Sequence, residues 1–139
     1  MRRLLPTIIS MAVVTTAIGH AESPVLACSG KQRARQVAEL LFGRNIGGRL
    51  GVSEQAWTRF VRRELTPRFP DGFTVIDAAG QWRDPASDRI VREPSKRVEI
   101  VLSGQTDDTT RLEAVAQAYK NAFRQRSVGI IVRPACVSF

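Results

Sequence analysis

Lys96-Arg97-Val98-Glu99-Ile100-Val101-Leu102 puts Val98, Ile100 and Leu102 on one side and Arg97 and Glu99 on the other. That is the period of a half-buried strand. A few residues on, Leu112, Val115, Ala116, Tyr119, Ala122 and Phe123 recur at helical spacing. Asp107 and Asp108 stand before them, where carboxylates favour a helix start, and Lys120, Arg124 and Arg126 crowd the end, where cations do. The switch of period makes this stretch a strand followed by a helix, and the rest of the chain can be read outward from it.

Upstream, residues 73–83 and 89–93 form a predicted hairpin around the turn Asp84-Pro85-Ala86-Ser87-Asp88. Pro94 is expected to break its second strand before the chain resumes in the same direction at Lys96. Arg68-Phe69-Pro70-Asp71-Gly72 reads as a turn. Before it, Ser53 caps a helix whose apolar residues fall at Trp57, Phe60, Val61 and Leu65 and which Pro67 should end. In residues 35–44, Ala38, Leu40 and Phe42 alternate toward Gly43, which favours a strand, with a helix left open by the Ala, Glu and Leu content. Residues 45–52, with Gly47, Gly48 and Gly51 following Gly43, read as a flexible loop. Downstream, residues 128–133 are a last strand. The order strand, helix, strand, strand, helix, strand predicts an α+β ferredoxin-like sandwich, an antiparallel sheet with both helices on one face.

The chain has 139 residues, 43% hydrophobic and 24% charged, which suits a single globular domain and not a disordered tail or a multi-span membrane protein. Its 21 Lys and Arg against 13 Asp and Glu give a formal charge of +8. The basic residues are scattered, with no run longer than Arg62-Arg63, and no aromatic-basic RNA-binding motif is present, so no nucleic-acid partner is expected. An anionic small molecule or a cell-envelope polymer is the better match for the charge.

Met1-Arg2-Arg3 followed by an uncharged stretch over residues 4–18 has the form of a signal peptide and is too short for a membrane span. Gly19-His20-Ala21 offers a cleavage site, dividing the chain into a signal peptide at 1–21 and one α+β domain at 22–139, periplasmic or secreted and without a membrane span. The alternatives are an uncleaved anchor, a cut after Ala27, and a lipoprotein in which Val25-Leu26-Ala27-Cys28 acts as a lipobox. Leu26 is bulky for that role.

Cleavage after Ala21 removes His20, the chain's single histidine. The remaining domain has no Ser-His-Asp triad, no Cys-His pair and no His-containing zinc site, and two cysteines cannot supply four zinc ligands. No phosphate-cradling glycine motif is present, so neither a metal nor another cofactor is expected. In an oxidising compartment Cys28 and Cys136 read as a disulfide.

Further residues point to a family. Ala38-Glu39-Leu40-Leu41-Phe42-Gly43-Arg44, the run from Leu65 through Arg68-Phe69-Pro70-Asp71-Gly72 to Val75, Gly80-Gln81-Trp82-Arg83-Asp84, Val91-Arg92-Glu93-Pro94-Ser95-Lys96 and Ala135-Cys136-Val137-Ser138-Phe139 carry the likeness. Together they resemble a family of small exported bacterial proteins known as the domain of unknown function DUF3574. The resemblance implies an exported single-domain protein and no particular activity.

The hairpin is the richest region for a site. With its turn centred on Ala86-Ser87, Gln81 should lie across from Arg92, and Arg83 across from Ile90, so Gln81, Arg83 and Arg92 share a face. Trp82, Val91 and Glu93 share the other. Paired guanidinium donors beside an amide suit a carboxylate or phosphate, with Trp82 at the rim and Arg44 and Arg68 beside glycine and proline turns as further candidates. A salt bridge such as Arg68 with Asp71 is the plainer use of Arg68, and ordinary cross-strand pairing the plainer use of the hairpin face. The reading favoured is a non-enzymatic binding module for an anionic small molecule, polymer or protein. The alternative is a small cofactor-independent enzyme, dimeric through its sheets, with Glu93 and Lys96 as acid-base groups near Asp77. Intact-mass measurement of the exported protein should give a chain beginning at Glu22, two mass units lighter than its reduced form; a chain beginning at Met1 or a lipid-modified Cys28 would refute this processing.

Overall fold

A computed structural model describes residues 27–139. The expected signal peptide lies outside the described residues. Strand β1 (Arg33–Gly43) buries Ala38, Leu40 and Phe42 completely and leaves the intervening Leu41 partly exposed, as pleat alternation dictates. The chain then forms a two-strand ribbon, β2 (Asn45–Ile46) and β3 (Arg49–Leu50). Helix α1 (Glu54–Phe60) follows, running through a π-helical stretch (Val61–Leu65) into a last turn, α2 (Thr66–Arg68). Strands β4 (Thr74–Arg83) and β5 (Ile90–Val101), helix α3 (Asp108–Phe123) and strand β6 (Gly129–Val137) complete the fold.

The four long strands form an antiparallel sheet in the order β4-β5-β1-β6. With two helical segments between strands, this is the expected ferredoxin-like α+β sandwich. Leu40 and Phe42 of β1, Val98 and Ile100 of β5, Trp57, Phe60 and Leu65 of the first helical segment, and Leu112, Val115 and Tyr119 of α3 form one core. Ser53 caps α1 by accepting from the Ala56 N–H at 3.1 Å. The opposite sheet face carries Glu39, Arg97, Glu99 and Arg133, joined by ion pairs that suit it to water.

Four local expectations change. The glycine-rich loop is ordered into the β2–β3 ribbon, because Gly47 and Gly48 both take positive φ (58° and 81°) and so make the tight turn such a ribbon needs. Pro67 does not end the helix. The Thr66 N–H reaches back to the Val61 carbonyl, and this wide turn admits Pro67 to the final turn, where its missing donor costs little. Pro94 does not break β5 either. Strand β1 pairs with β5 only as far as Ser95, so no neighbour on that side asks Pro94 for an N–H, and its carbonyl accepts from the Arg44 N–H at 3.0 Å. Finally, β6 runs on through Pro134, which an edge strand tolerates, to Val137.

That extension brings Cys136 opposite Ala34 of β1 and into a disulfide with Cys28, with Cα atoms 5.5 Å apart across a sequence separation of 108. A loop of that size restricts the unfolded chain strongly. Replacing both cysteines with serine should lower unfolding free energy by about 2–5 kcal/mol in a denaturant titration. A loss below about 0.5 kcal/mol would mean the ends are held by strand pairing alone.

Candidate functional site

The site begins where β1 ends. Phe42 is fixed by Tyr119 and Trp57, with ring centroids at 4.7 and 5.2 Å. The Tyr119 hydroxyl donates to the Gly43 carbonyl at 2.8 Å, and burial pushes its pKa well above the usual range. Arg44 therefore leaves the strand at a fixed point and turns its side chain inward. Its Nε and Nη2 donate to the Val52 carbonyl at 2.9 and 2.6 Å, and its Nη1 to Glu54 Oε1 at 2.5 Å. Glu54 is the first residue of α1, placed there by the Ser53 cap.

Lys96 reaches the same carboxylate from the sheet. It pairs with Phe42 on one side and Asp77 on the other. Its Nζ donates to Glu54 Oε2 at 2.9 Å and to Asp77 Oδ1. The result is an alternating chain, Arg44–Glu54–Lys96–Asp77. Its two cations are buried, at 6% and 5% relative exposure. The carboxylate side chains are not, at 64% for Glu54 and 81% for Asp77.

The hydrogen bonds from Lys96 hold the Glu54 and Asp77 carboxyls below their usual pKa. Burial pushes Lys96 down, but the bonds to Asp77 and Glu54 outweigh it and its pKa lies above the ordinary value. All three groups are thus charged at neutral pH. Such a chain holds charge in place and does not trade protons.

The other candidates are dispersed. Gln81 does face Arg92, and Arg83 faces Ile90, in the expected register. Arg83 Nη1 is occupied by Asp88, at 3.0 Å from Oδ1, near the hairpin turn. Arg68 pairs with Glu64 at 2.8 Å and not with Asp71, because one helical turn brings Glu64 to it. Trp82 Nε1 donates to Glu93 Oε1 at 3.2 Å, and the second oxygen of Glu93 accepts from the Asn45 N–H at 3.0 Å. Glu93 and Lys96 are an odd number of residues apart in one unbroken strand, so they occupy opposite faces and do not form the expected acid-base pair. Lys96 instead has Asp77 and Glu54. Among the described residues no group of three His, Cys, Asp or Glu is placed to hold a metal ion, and no helix is long and apolar enough to cross a membrane.

Glu54 escaped sequence reasoning. An acidic first residue after a serine cap has an ordinary use in opposing the helix dipole, and its partner Lys96 lies 42 residues away. No sequence signal would have joined them.

The family model "Protein of unknown function (DUF3574)" matches residues 37–139. The chain belongs to the DUF3574 family. No functionally curated protein matches the sequence. Among solved structures, this DUF3574 protein is similar to a phage SAM lyase in complex with S-methyl-5'-thioadenosine. The TM-score is 0.61 and the identity 17%, over 84% of this chain and 97% of the lyase. It is also similar to CutA from Synechococcus elongatus, with a TM-score of 0.47 and 8% identity over 77% of this chain and 80% of the other. At 17% identity the likeness to the lyase is one of fold.

The ionic chain sets a pH window. Glu54 and Asp77 have lowered pKa values, so their contribution is complete above the ordinary values of 4.5 and 3.8 and is lost as pH falls through the lower folded values. Lys96 is raised, so its contribution is complete below 10.5 and is lost as pH rises through the higher folded value. Melting temperature should be flat between about pH 5 and pH 10 and fall on either side. In Lys96→Met the acid-side fall should be shallower; an identical acid profile would show that Lys96 does not govern Glu54 and Asp77.

Proposed function

We propose that this DUF3574 protein is an exported binding module that takes an anionic group at Arg44 and Lys96. The supporting observation is the asymmetry of burial: both cations are enclosed, while the Glu54 and Asp77 side chains that neutralise them are largely in water. A carboxylate or phosphate on a ligand can replace Asp77 or Glu54 on Lys96. The displaced side chain returns to water, so no new charge is stranded in the interior. Export is supported by the Arg2-Arg3 start, the uncharged residues 4–18 and the Cys28–Cys136 disulfide, which suits an oxidising compartment.

The charged states of Glu54, Asp77 and Lys96 favour binding over acid-base catalysis, because a proton shuttle works best with a pKa near the operating pH. The cofactor-independent enzyme remains the second reading. Its motivation is that a protein of the same fold is a SAM lyase that holds S-methyl-5'-thioadenosine. The same groups would then bind a nucleoside at the exposed carboxylates.

Thermal denaturation with millimolar phosphate, citrate and succinate at constant ionic strength tests the first reading, and S-methyl-5'-thioadenosine tests the second. At least one anion should raise the melting temperature saturably in the parent chain and fail to do so in a folded Lys96→Met variant. An equal rise in both proteins, or none with any anion, overturns the anion site. A saturable rise with the nucleoside alone selects the enzyme reading.

A further inference from the structure

A second feature lies beyond the ionic chain, where the β4–β5 hairpin outruns its neighbours. Strand β1 stops pairing at Ser95, so residues 79–83 and 90–94 continue as a two-strand arm. The arm is held at one end of the molecule by contacts with other elements. Glu93 accepts from the Asn45 N–H, and Asn45 Nδ2 donates to the Arg92 carbonyl at 3.4 Å, which joins the arm to the β2–β3 ribbon. Gln125 Nε2 donates to the Asn45 carbonyl at 2.7 Å, which joins the ribbon to the end of α3. Arg126 Nη1 lies 3.3 Å from Asp84 Oδ1, which ties the end of α3 to the hairpin turn. Arm, ribbon and helix end therefore lie together at one end of the molecule.

Its composition is unusual for a solvated end. Ile46 and Leu50 on the ribbon and, on opposite faces of the arm near its tip, Trp82 and Ile90 are large apolar side chains left 37%, 58%, 40% and 41% exposed. Arg49, Arg83, Arg89, Arg92, Arg124 and Arg126 stand exposed at the same end, Arg83 and Arg92 on the Ile90 face of the arm. Arg83 and Arg126 are paired with Asp88 and Asp84. The other four have no salt-bridge partner among the described residues. Six exposed arginines with the buried Arg44 and Lys96, against Glu54, Asp77, Asp84, Asp88 and Glu93, leave this end at a net +3.

We infer that this end docks on an anionic lipid surface, hairpin tip first, so that both faces of the arm enter the headgroups. Arginines without counter-charges answer phosphate headgroups, and aliphatic and indole side chains standing among them answer the acyl boundary beneath. A soluble polyanion would satisfy the arginines but would give Leu50 and Ile90 nothing to bury against, so the apolar half of the surface selects the bilayer. Near such a surface each arginine contributes about fivefold in affinity at low salt. The inference is independent of the anion site at Arg44 and Lys96.

The test uses the full chain, so that residues 4–18 contribute equally to every variant compared. Vesicles of phosphatidylcholine with 30% phosphatidylglycerol are titrated with the parent chain, Arg49→Glu/Arg89→Glu and Leu50→Ser/Ile90→Ser, followed by sedimentation and by tryptophan emission. Trp57 is buried, so quenching by brominated lipid reports Trp82. The charge-reversal variant should bind at least tenfold more weakly than the parent, and the serine variant several-fold more weakly, with melting temperatures close to the parent's. Brominated lipid should quench the parent and not Trp82→Phe. Equal partitioning of all three proteins, parent binding undiminished on pure phosphatidylcholine, or unquenched Trp82 overturns the inference, as does binding to heparin without binding to the vesicles.

Discussion

The arrangement depends on the seating of Phe42. Its ring meets Trp57 and Phe60 from the first helical segment and Tyr119 from α3, at centroid distances between 4.7 and 5.9 Å, mostly edge to face. Both helical layers thus close on one side chain at the end of the central strand β1. Edge-to-face contacts hold both distance and tilt, which aliphatic packing does less strictly. Because the Tyr119 hydroxyl also takes the Gly43 carbonyl, the backbone one residue beyond Phe42 is fixed before the chain turns at Arg44.

From that fixed point the polar site follows. Arg44 spends two of its nitrogens on the Val52 carbonyl, which locks the incoming start of α1, and a third on Glu54. Lys96 sits beside Phe42 on the core side of the sheet, where a lysine would be costly without partners. Glu54 and Asp77 provide them from a helix start and an edge strand. Gly43 is required by the same crowding: a Cβ there would lie 2.7 Å from the Glu93 carboxylate, so only glycine lets Glu93 reach the Asn45 N–H. The two faces of β5 therefore serve different ends. Lys96 faces the core and joins the ionic chain, while Glu93 faces away and pins the arm.

Much of the scaffold was legible in the sequence because it follows from local periodicity. The alternation of Ala38, Leu40 and Phe42, that of Val98, Ile100 and Leu102, and the α3 stripe each name their buried side without reference to any other element. The hairpin register, Gln81 with Arg92, was legible for the same reason, since a short turn leaves few ways to pair its strands. The errors fell where local chemistry was overridden. Pro67 and Pro94 are breakers only where a neighbour needs their N–H. Gly47 and Gly48 suggest flexibility until a ribbon uses their positive φ.

The sequence by itself determined the order of elements, the buried stripes, the family, and two cysteines with a reason to pair. Those depend on spacing along the chain, which is visible in one dimension. Only the tertiary structure decided which charges meet. Arg44 and Lys96 share Glu54 because the turn after β1 and the start of α1 converge on the same end of the sheet, and Glu93 and Lys96 part company because an unbroken β5 sends them to opposite faces. Ion pairing depends on a few ångströms between side chains far apart in sequence, and no local pattern carries that distance.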